Sequence, residues 1–152
     1  MPGKLKLDIA YTPAFGVVGL FTPQKDYRLC WFLNQHLDAD FRRLSGFSYL
    51  PCNQSAPAVF SVYHYDIPGL MVRYFMVSNK SLAGRLFERP KNLDYLLLIS
   101  KSGTQAVAME DIIARLRKVP VIEAAFNLDN QLGERAAGFF YDFEVYLGAA
   151  LR

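Results

Sequence analysis

Cysteine and histidine are scarce in this chain, with two of each in 152 residues. Cys30 falls within a helical pattern and Cys52 within a Pro-Asn-Ser loop. They offer neither the CxxC spacing of a zinc or redox site nor a disulfide framework. His36 and His64 have no His-x-x-His or Glu-x-x-His companion, while a catalytic metal ion takes about three convergent protein ligands. The expectation is therefore no metal and no cofactor. Charge of one sign is thin as well: 17 Lys and Arg against 14 Asp and Glu leave a net +3. The basic residues are scattered, so charge alone does not make a polyanion binder. No apolar run approaches the roughly 18 residues of a membrane span. Met1 to Lys6 is not followed by the apolar stretch of a signal peptide. These absences predict a cytoplasmic chain with reduced thiols and no membrane partner. A Gly-x-Ser-x-Gly elbow and the glycines of a P-loop are missing too, and Cys30 projects from the core face of its helix, which argues against nucleophilic catalysis.

What is abundant is apolar and aromatic. Hydrophobic residues make up 52% of the chain, with 12 Phe, 9 Tyr and 1 Trp. A chain of this length reads as one domain, 1–152, able to bury about two-thirds of its unfolded surface. The segment 127–152 forms an aromatic C-terminal extension. The chain is organised around Leu93 to Ser100, a short apolar run bounded by Arg89-Pro90-Lys91-Asn92 and Lys101-Ser102-Gly103. That length and those borders predict a strand buried on both faces. An amphipathic helix over Met109, Ile112, Ile113 and Leu116 follows, stopped by Pro120 with Arg115, Arg117 and Lys118 at its C-terminus. An apolar strand over Val121 to Phe126 completes a βαβ unit.

Earlier in the chain, Leu5, Leu7 and Ile9 alternate with Lys4, Lys6 and Asp8, which predicts a half-buried strand over 4–11. Phe15 to Phe21 is a second strand, its glycines marking a bulge or a close backbone approach. Thr22 and Pro23 fit an N-cap and a first helical residue. Leu29, Cys30, Leu33 and Leu37 then share one helical face, and Tyr27, Trp31 and Asn34 form its rim. A weaker strand spans 41–50. Two strands flank the turn Asp66-Ile67-Pro68-Gly69; the simplest register pairs Tyr65 with Leu70 and Tyr63 with Val72. The tail alternates Phe139, Tyr141, Phe143, Val145 and Leu147 with polar or aromatic neighbours. A strand is favoured there over a helix using Phe139, Phe143, Tyr146 and Ala150.

Three constellations could carry function. Lys25, Asp26, Tyr27, Arg28, Trp31 and Asn34 make either a recognition face for an acidic partner or a solvated polar face. Asp94 and Tyr95 open the central strand beside Asn79 and Lys80; a strand-end carboxylate can be catalytic, but it more often caps a loop. The hairpin face bearing His64, Arg73 and Phe75, with Arg42 and Arg43 nearby, could stack single-stranded RNA bases or serve packing.

Two of these segments also carry a family resemblance. Lys25-Asp26-Tyr27-Arg28-Leu29-Cys30-Trp31 with Leu33-Asn34, and Phe87 to Tyr95, resemble the IPExxxVDY family of small bacterial proteins, to which no activity is attached. Leu93-Asp94-Tyr95 fit Val-Asp-Tyr; Phe87, Glu88 and Arg89 replace Ile, Pro and Glu. With Ser78 to Ser81 and Val119-Pro120-Val121, the resemblance runs from about residue 4 to about residue 130, and the aromatic tail lies beyond it. The fold predicted is α+β: a mostly antiparallel sheet of about six strands with two helices on one face, a ferredoxin-like plait with additions. The uncovered sheet face and the aromatic tail predict a homodimer. The function predicted is a non-enzymatic protein-interaction module, ahead of an RNA-binding accessory protein, with catalysis centred on Asp94 last.

Overall fold

The computed structural model describes residues 15–67, 69, 72–100 and 108–152. The strand expected over 4–11 and the residues beside Gly69 in the hairpin turn lie outside them. The elements in chain order are β1 (Phe15–Phe21), α1 (Asp26–Leu37), β2 (Arg42–Arg43), β3 (Phe47–Tyr49), β4 (Ala58–Phe60), β5 (Val62–Ile67) and β6 (Val72–Ser78). They continue with β7 (Lys80–Ser81), β8 (Gly84–Arg85), β9 (Tyr95–Ser100), α2 (Met109–Arg117), β10 (Ala124–Asn127) and α3 (Arg135–Ala150).

Strand β9 buries all six of its residues and lies between β1 and β6. The main sheet has six strands in the order β10-β1-β9-β6-β5-β2, and every pair is antiparallel. Two antiparallel steps make β1 parallel to β6 and β9 parallel to β10, so each of α1 and α2 lies in a split β-α-β crossover. The four strands β10-β1-β9-β6 with these helices form the ferredoxin-like plait, and β5 and β2 extend the sheet beyond β6.

Because side chains alternate across a strand, the sheet has two distinct apolar faces. Val18, Leu20, Tyr63, Met76, Tyr95, Leu97 and Ile99 point toward Leu29, Cys30 and Leu33 of α1 and Ile113 and Leu116 of α2. Phe15, Val17, Val62, Phe75, Val77, Leu96 and Leu98 face the other way, onto Phe139, Phe140, Phe143 and Leu147 of α3 and onto Phe47 and Phe60 of the β3–β4 hairpin. At Gly19 a Cβ atom would come within 2.5 Å of Leu128 Cδ1 and 2.9 Å of Leu93 Cδ1, so the glycine there permits a close approach of chain to chain.

Three expectations are corrected. The tail is a helix, not a strand. Phe139, Phe143 and Leu147 recur every four residues and Phe140 lies beside them, which builds one buried stripe at helical spacing. The alternating reading would have put Tyr141 and Val145 on the same face, yet they are 63% and 61% exposed. With α3 and the β3–β4 hairpin in place the second sheet face is covered, so among the described residues the uncovered face from which a homodimer was predicted is not present. The hairpin register also differs: Tyr65 opposes Tyr74, and Tyr63 opposes Met76, because the strands run on to Ile67 and resume at Val72. The slip is four positions; an even slip leaves every side chain on its expected face. Finally, Thr22 does not cap α1. The helix begins at Asp26 with Lys25 in the cap position and no side-chain cap bond. The Thr22 hydroxyl instead donates to the Val121 carbonyl at 2.6 Å.

Phe143 rings meet those of Phe15, Phe47, Phe75, Phe139 and Tyr146 at 5.4–5.9 Å. Phe143→Ala is expected to cost about 3–5 kcal/mol, whereas Tyr141→Ala should change stability by less than about 0.5 kcal/mol. Urea unfolding of both variants checks this; equal losses would argue for a strand with the two rings on one face.

Candidate functional site

The outer surface of α1 gathers the first constellation. With Leu29, Cys30 and Leu33 committed to the core, the helix turns Tyr27 and Trp31, one turn apart, toward solvent at 59% and 56% exposure. Lys25 and Arg28 are exposed beside them. Arg28 Nε donates to Gln24 Oε1 at 3.0 Å, and its guanidinium lies 5.7 Å from the centre of the Phe32 ring. Trp31 meets Phe32 edge-on at 5.1 Å, and Phe32 stacks on His36 at 6.2 Å. The result is a cationic and aromatic ladder running along the helix.

Asp26 does not join this surface. Its Oδ1 accepts the Tyr27 N–H at 2.7 Å, and its Oδ2 lies 3.9 Å from Arg43 Nη1, with the side chain only 21% exposed. Asn34 is turned inward as well: its Oδ1 accepts the Phe41 N–H at 2.7 Å and its Nδ2 donates to the Phe41 carbonyl at 3.4 Å, tying the helix to the chain that enters β2.

Asn79, Lys80, Asp94 and Tyr95 do come together, at the point where β6 ends and β9 begins. Asn79 is fully buried. Its Nδ2 donates to the carbonyls of Phe87 and Leu93, at 2.8 and 2.9 Å, and its Oδ1 accepts the Phe87 N–H at 2.8 Å. All the hydrogen-bonding capacity that a side-chain amide usually exercises is consumed internally. Asp94 accepts the Thr22 N–H on Oδ2 at 2.8 Å and pairs with Lys80 Nζ through Oδ1 at 2.5 Å. The Tyr95 hydroxyl donates to the Gln24 carbonyl at 2.6 Å. Burial, reinforced by the nearby Asp26 and Asp94 carboxylates, pushes this phenol well above its ordinary value of 10.0 and keeps it neutral. The cluster is a clamp joining the ends of β1, β6 and β9, in which each polar group has a partner.

The hairpin residues divide between layers. Phe75 lies in the core beneath Phe143. His64 stacks on Phe75 at 6.2 Å with its Nδ1 buried and unpartnered. The arginines are paired: Arg73 lies 3.8 Å from Asp66, Arg42 lies 3.0 Å from Asp40, and Arg43 lies beside Asp26. Bases cannot stack on a ring that α3 already covers, and these guanidiniums face carboxylates of their own chain.

Sequence reasoning missed a cleft between α1 and α2, above the sheet, with a volume of about 160 Å³. Its walls are drawn from α1, α2 and several strands, so no spacing in the sequence could have announced it. Among the described residues no group of three or more His, Cys, Asp or Glu could hold a metal ion, and no helix is long and apolar enough to cross a membrane. No family model, curated protein or solved structure matches the chain.

Two measurements test the clamp. Asn79→Ala strands the buried Phe87 carbonyl and N–H and leaves the Leu93 carbonyl with Arg85 Nη1 alone, at 3.0 Å, and should lower stability by on the order of 3 kcal/mol. Lys80→Ala, which removes the more exposed partner and leaves Asp94, 16% exposed, with the Thr22 N–H, should cost less, about 1 kcal/mol. Comparable losses in denaturant titrations would refute this division of labour. The pH dependence has a definite sign. Tyr95 keeps its proton to higher pH folded than unfolded, so unfolding releases a proton above about pH 10 and stability falls as pH rises there. Tyr95→Phe should flatten that alkaline decline while costing about 1 kcal/mol at neutral pH through the lost hydrogen bond to Gln24.

Proposed function

We propose that this protein is a non-enzymatic interaction module that docks an acidic protein segment on the outer face of α1. The observation that supports the reading is the pairing of Tyr27 and Trp31, both more than half exposed, with the exposed cations Lys25 and Arg28, while the one carboxylate of this stretch is drawn away to Arg43. Aromatic and arginine side chains dominate the energetics of protein interfaces because they bury large areas for little lost flexibility. The cations select the sign of the partner. Membership of the IPExxxVDY family belongs to the same proposal, since the helix that bears the exposed aromatics is the one that carries the resemblance. So does a cytoplasmic location, which two free cysteines support.

Trp31 is the only tryptophan in the chain, so its emission reports directly on this face. Random peptides displayed against the full-length protein should return sequences with Asp or Glu flanking an apolar residue. Their binding should shift Trp31 emission to the blue. Arg28→Glu should weaken the selected peptides, and Trp31→Ala should cost about 2 kcal/mol or more, roughly thirtyfold in affinity. Selected peptides that are basic, or that bind Trp31→Ala unchanged, would refute the proposal.

A further inference from the structure

The inner side of α1 holds a second candidate, unrelated to the docking face. Leu37 of α1, Ile112 of α2 and Tyr74 of the sheet, over a floor of buried Leu33, Leu97 and Leu116, line a partly open cleft of about 160 Å³. Close packing normally leaves few voids larger than a water molecule, so a gap of this size between two helices and their sheet is a feature of the fold. The cleft opens to solvent, and its volume is close to the roughly 150 Å³ that accommodates a molecule the size of benzene. The walls suit an aromatic ring. Tyr74 stacks on Tyr65 at 6.1 Å, and Phe41 leans against both at 5.7 and 6.5 Å.

The cleft has one cationic wall. Arg115 of α2 reaches across to α1, where its Nη2 donates to the Leu37 carbonyl at 3.3 Å. It stands close enough to Tyr74 to oppose the rise that burial, its largest influence, imposes on that phenol. Arg42, Arg43 and Arg73 each have a carboxylate within 4 Å. Among the described residues no carboxylate lies within pairing distance of Arg115. A guanidinium presents five N–H donors in a fork that matches a carboxylate, and one long bond to a carbonyl leaves most of that capacity unused.

We infer that the α1–α2 cleft binds a small aromatic monocarboxylate, with its ring against the half-buried Leu37, Tyr74 and Ile112 and its carboxylate on Arg115. The apolar part of the lining supplies the affinity for the ring. The arginine at the wall sets the requirement for an anion and excludes cations of the same shape.

The test uses the full chain, benzoate as probe and toluene as its neutral counterpart, followed by amide chemical shifts in a 1H–15N titration. Benzoate should saturate a single site whose shifts centre on Leu37, Tyr74 and Ile112. Arg115→Gln, a change at an exposed position, should weaken benzoate by about tenfold or more, equivalent to about 1.4 kcal/mol, and leave toluene binding unchanged. Ala39→Phe, which fills the cleft from the loop after α1, should abolish both, with its own spectrum showing that the fold persists. Benzoate that binds Arg115→Gln as tightly as the native chain overturns the inference. So do shifts that fall outside the cleft, and so does a native chain that takes up toluene alone or neither probe. Should Ala39→Phe not fold, the Arg115→Gln comparison decides.

Discussion

Strand β9 is apolar on both faces, and that constraint shapes the remainder of the molecule. Leu97 and Ile99 look one way and Leu96 and Leu98 the other, and all six residues of the strand are buried. Each fully buried side chain of this kind favours the folded state by about 1.5–3 kcal/mol, but only if both sides of the sheet are covered. The two crossover helices of a ferredoxin-like plait cover one side. The other side requires something beyond the plait, and α3 with the β3–β4 hairpin supplies it. The aromatic tail is the second half of the core, anchored where Arg135 donates to the carbonyls of Leu50 and Leu86 and where the Tyr146 hydroxyl donates to the Ser45 carbonyl.

A sheet dry on both faces leaves its polar backbone problems at the strand ends. Buried N–H and C=O groups need partners, and the chain meets that need with the residues that look most like chemistry in the sequence. Asn79 satisfies the turn from Phe87 to Leu93, Asp94 receives the first N–H after β1, and Thr22 reaches the chain before β10. A polar motif beside a central strand thus has two readings, and hydrogen-bond saturation decides between them. Here each member of the group is occupied by the fold, which turns the search for function to the helices.

Much of this architecture is legible in the residues. Phe15 to Phe21 and Leu93 to Ser100 declare strands by unbroken apolar runs between turn formers, and Met109, Ile112, Ile113 and Leu116 declare a helix by period. What failed did so for physical reasons. In the tail, aromatic residues occupy nearly every position from Phe139 to Phe143, so both periods are present, and only the need to cover the second sheet face selects the helix. Thr22-Pro23 has the chemistry of a helix start, but the helix begins three residues later, at Asp26, so the Thr22 oxygen accepts the Gln24 N–H at 3.3 Å ahead of the helix while its hydroxyl donates to Val121. The hairpin slipped in register without changing its faces, because pleat parity is local whereas turn length depends on how far both strands remain paired. The α1 surface was legible in Tyr27 and Trp31, since neither fits the stripe of Leu29, Cys30 and Leu33. The cleft was not, because its walls meet only once α1, α2 and the sheet have assembled.

Both surfaces proposed for function belong to one helix, and this does not by itself couple them. Coupling requires that α1 have two positions whose balance each ligand shifts. The helix is tied at its start through Asp26 to Arg43, near its end through Asn34 to both backbone groups of Phe41, and at its last turn through the Leu37 carbonyl to Arg115. Along its inner face Leu29 and Leu33 are wholly buried. A helix held at both ends presents its outer aromatics and its inner leucines as fixed features. The proposed cleft and the proposed docking face are therefore expected to act as independent properties of the same element.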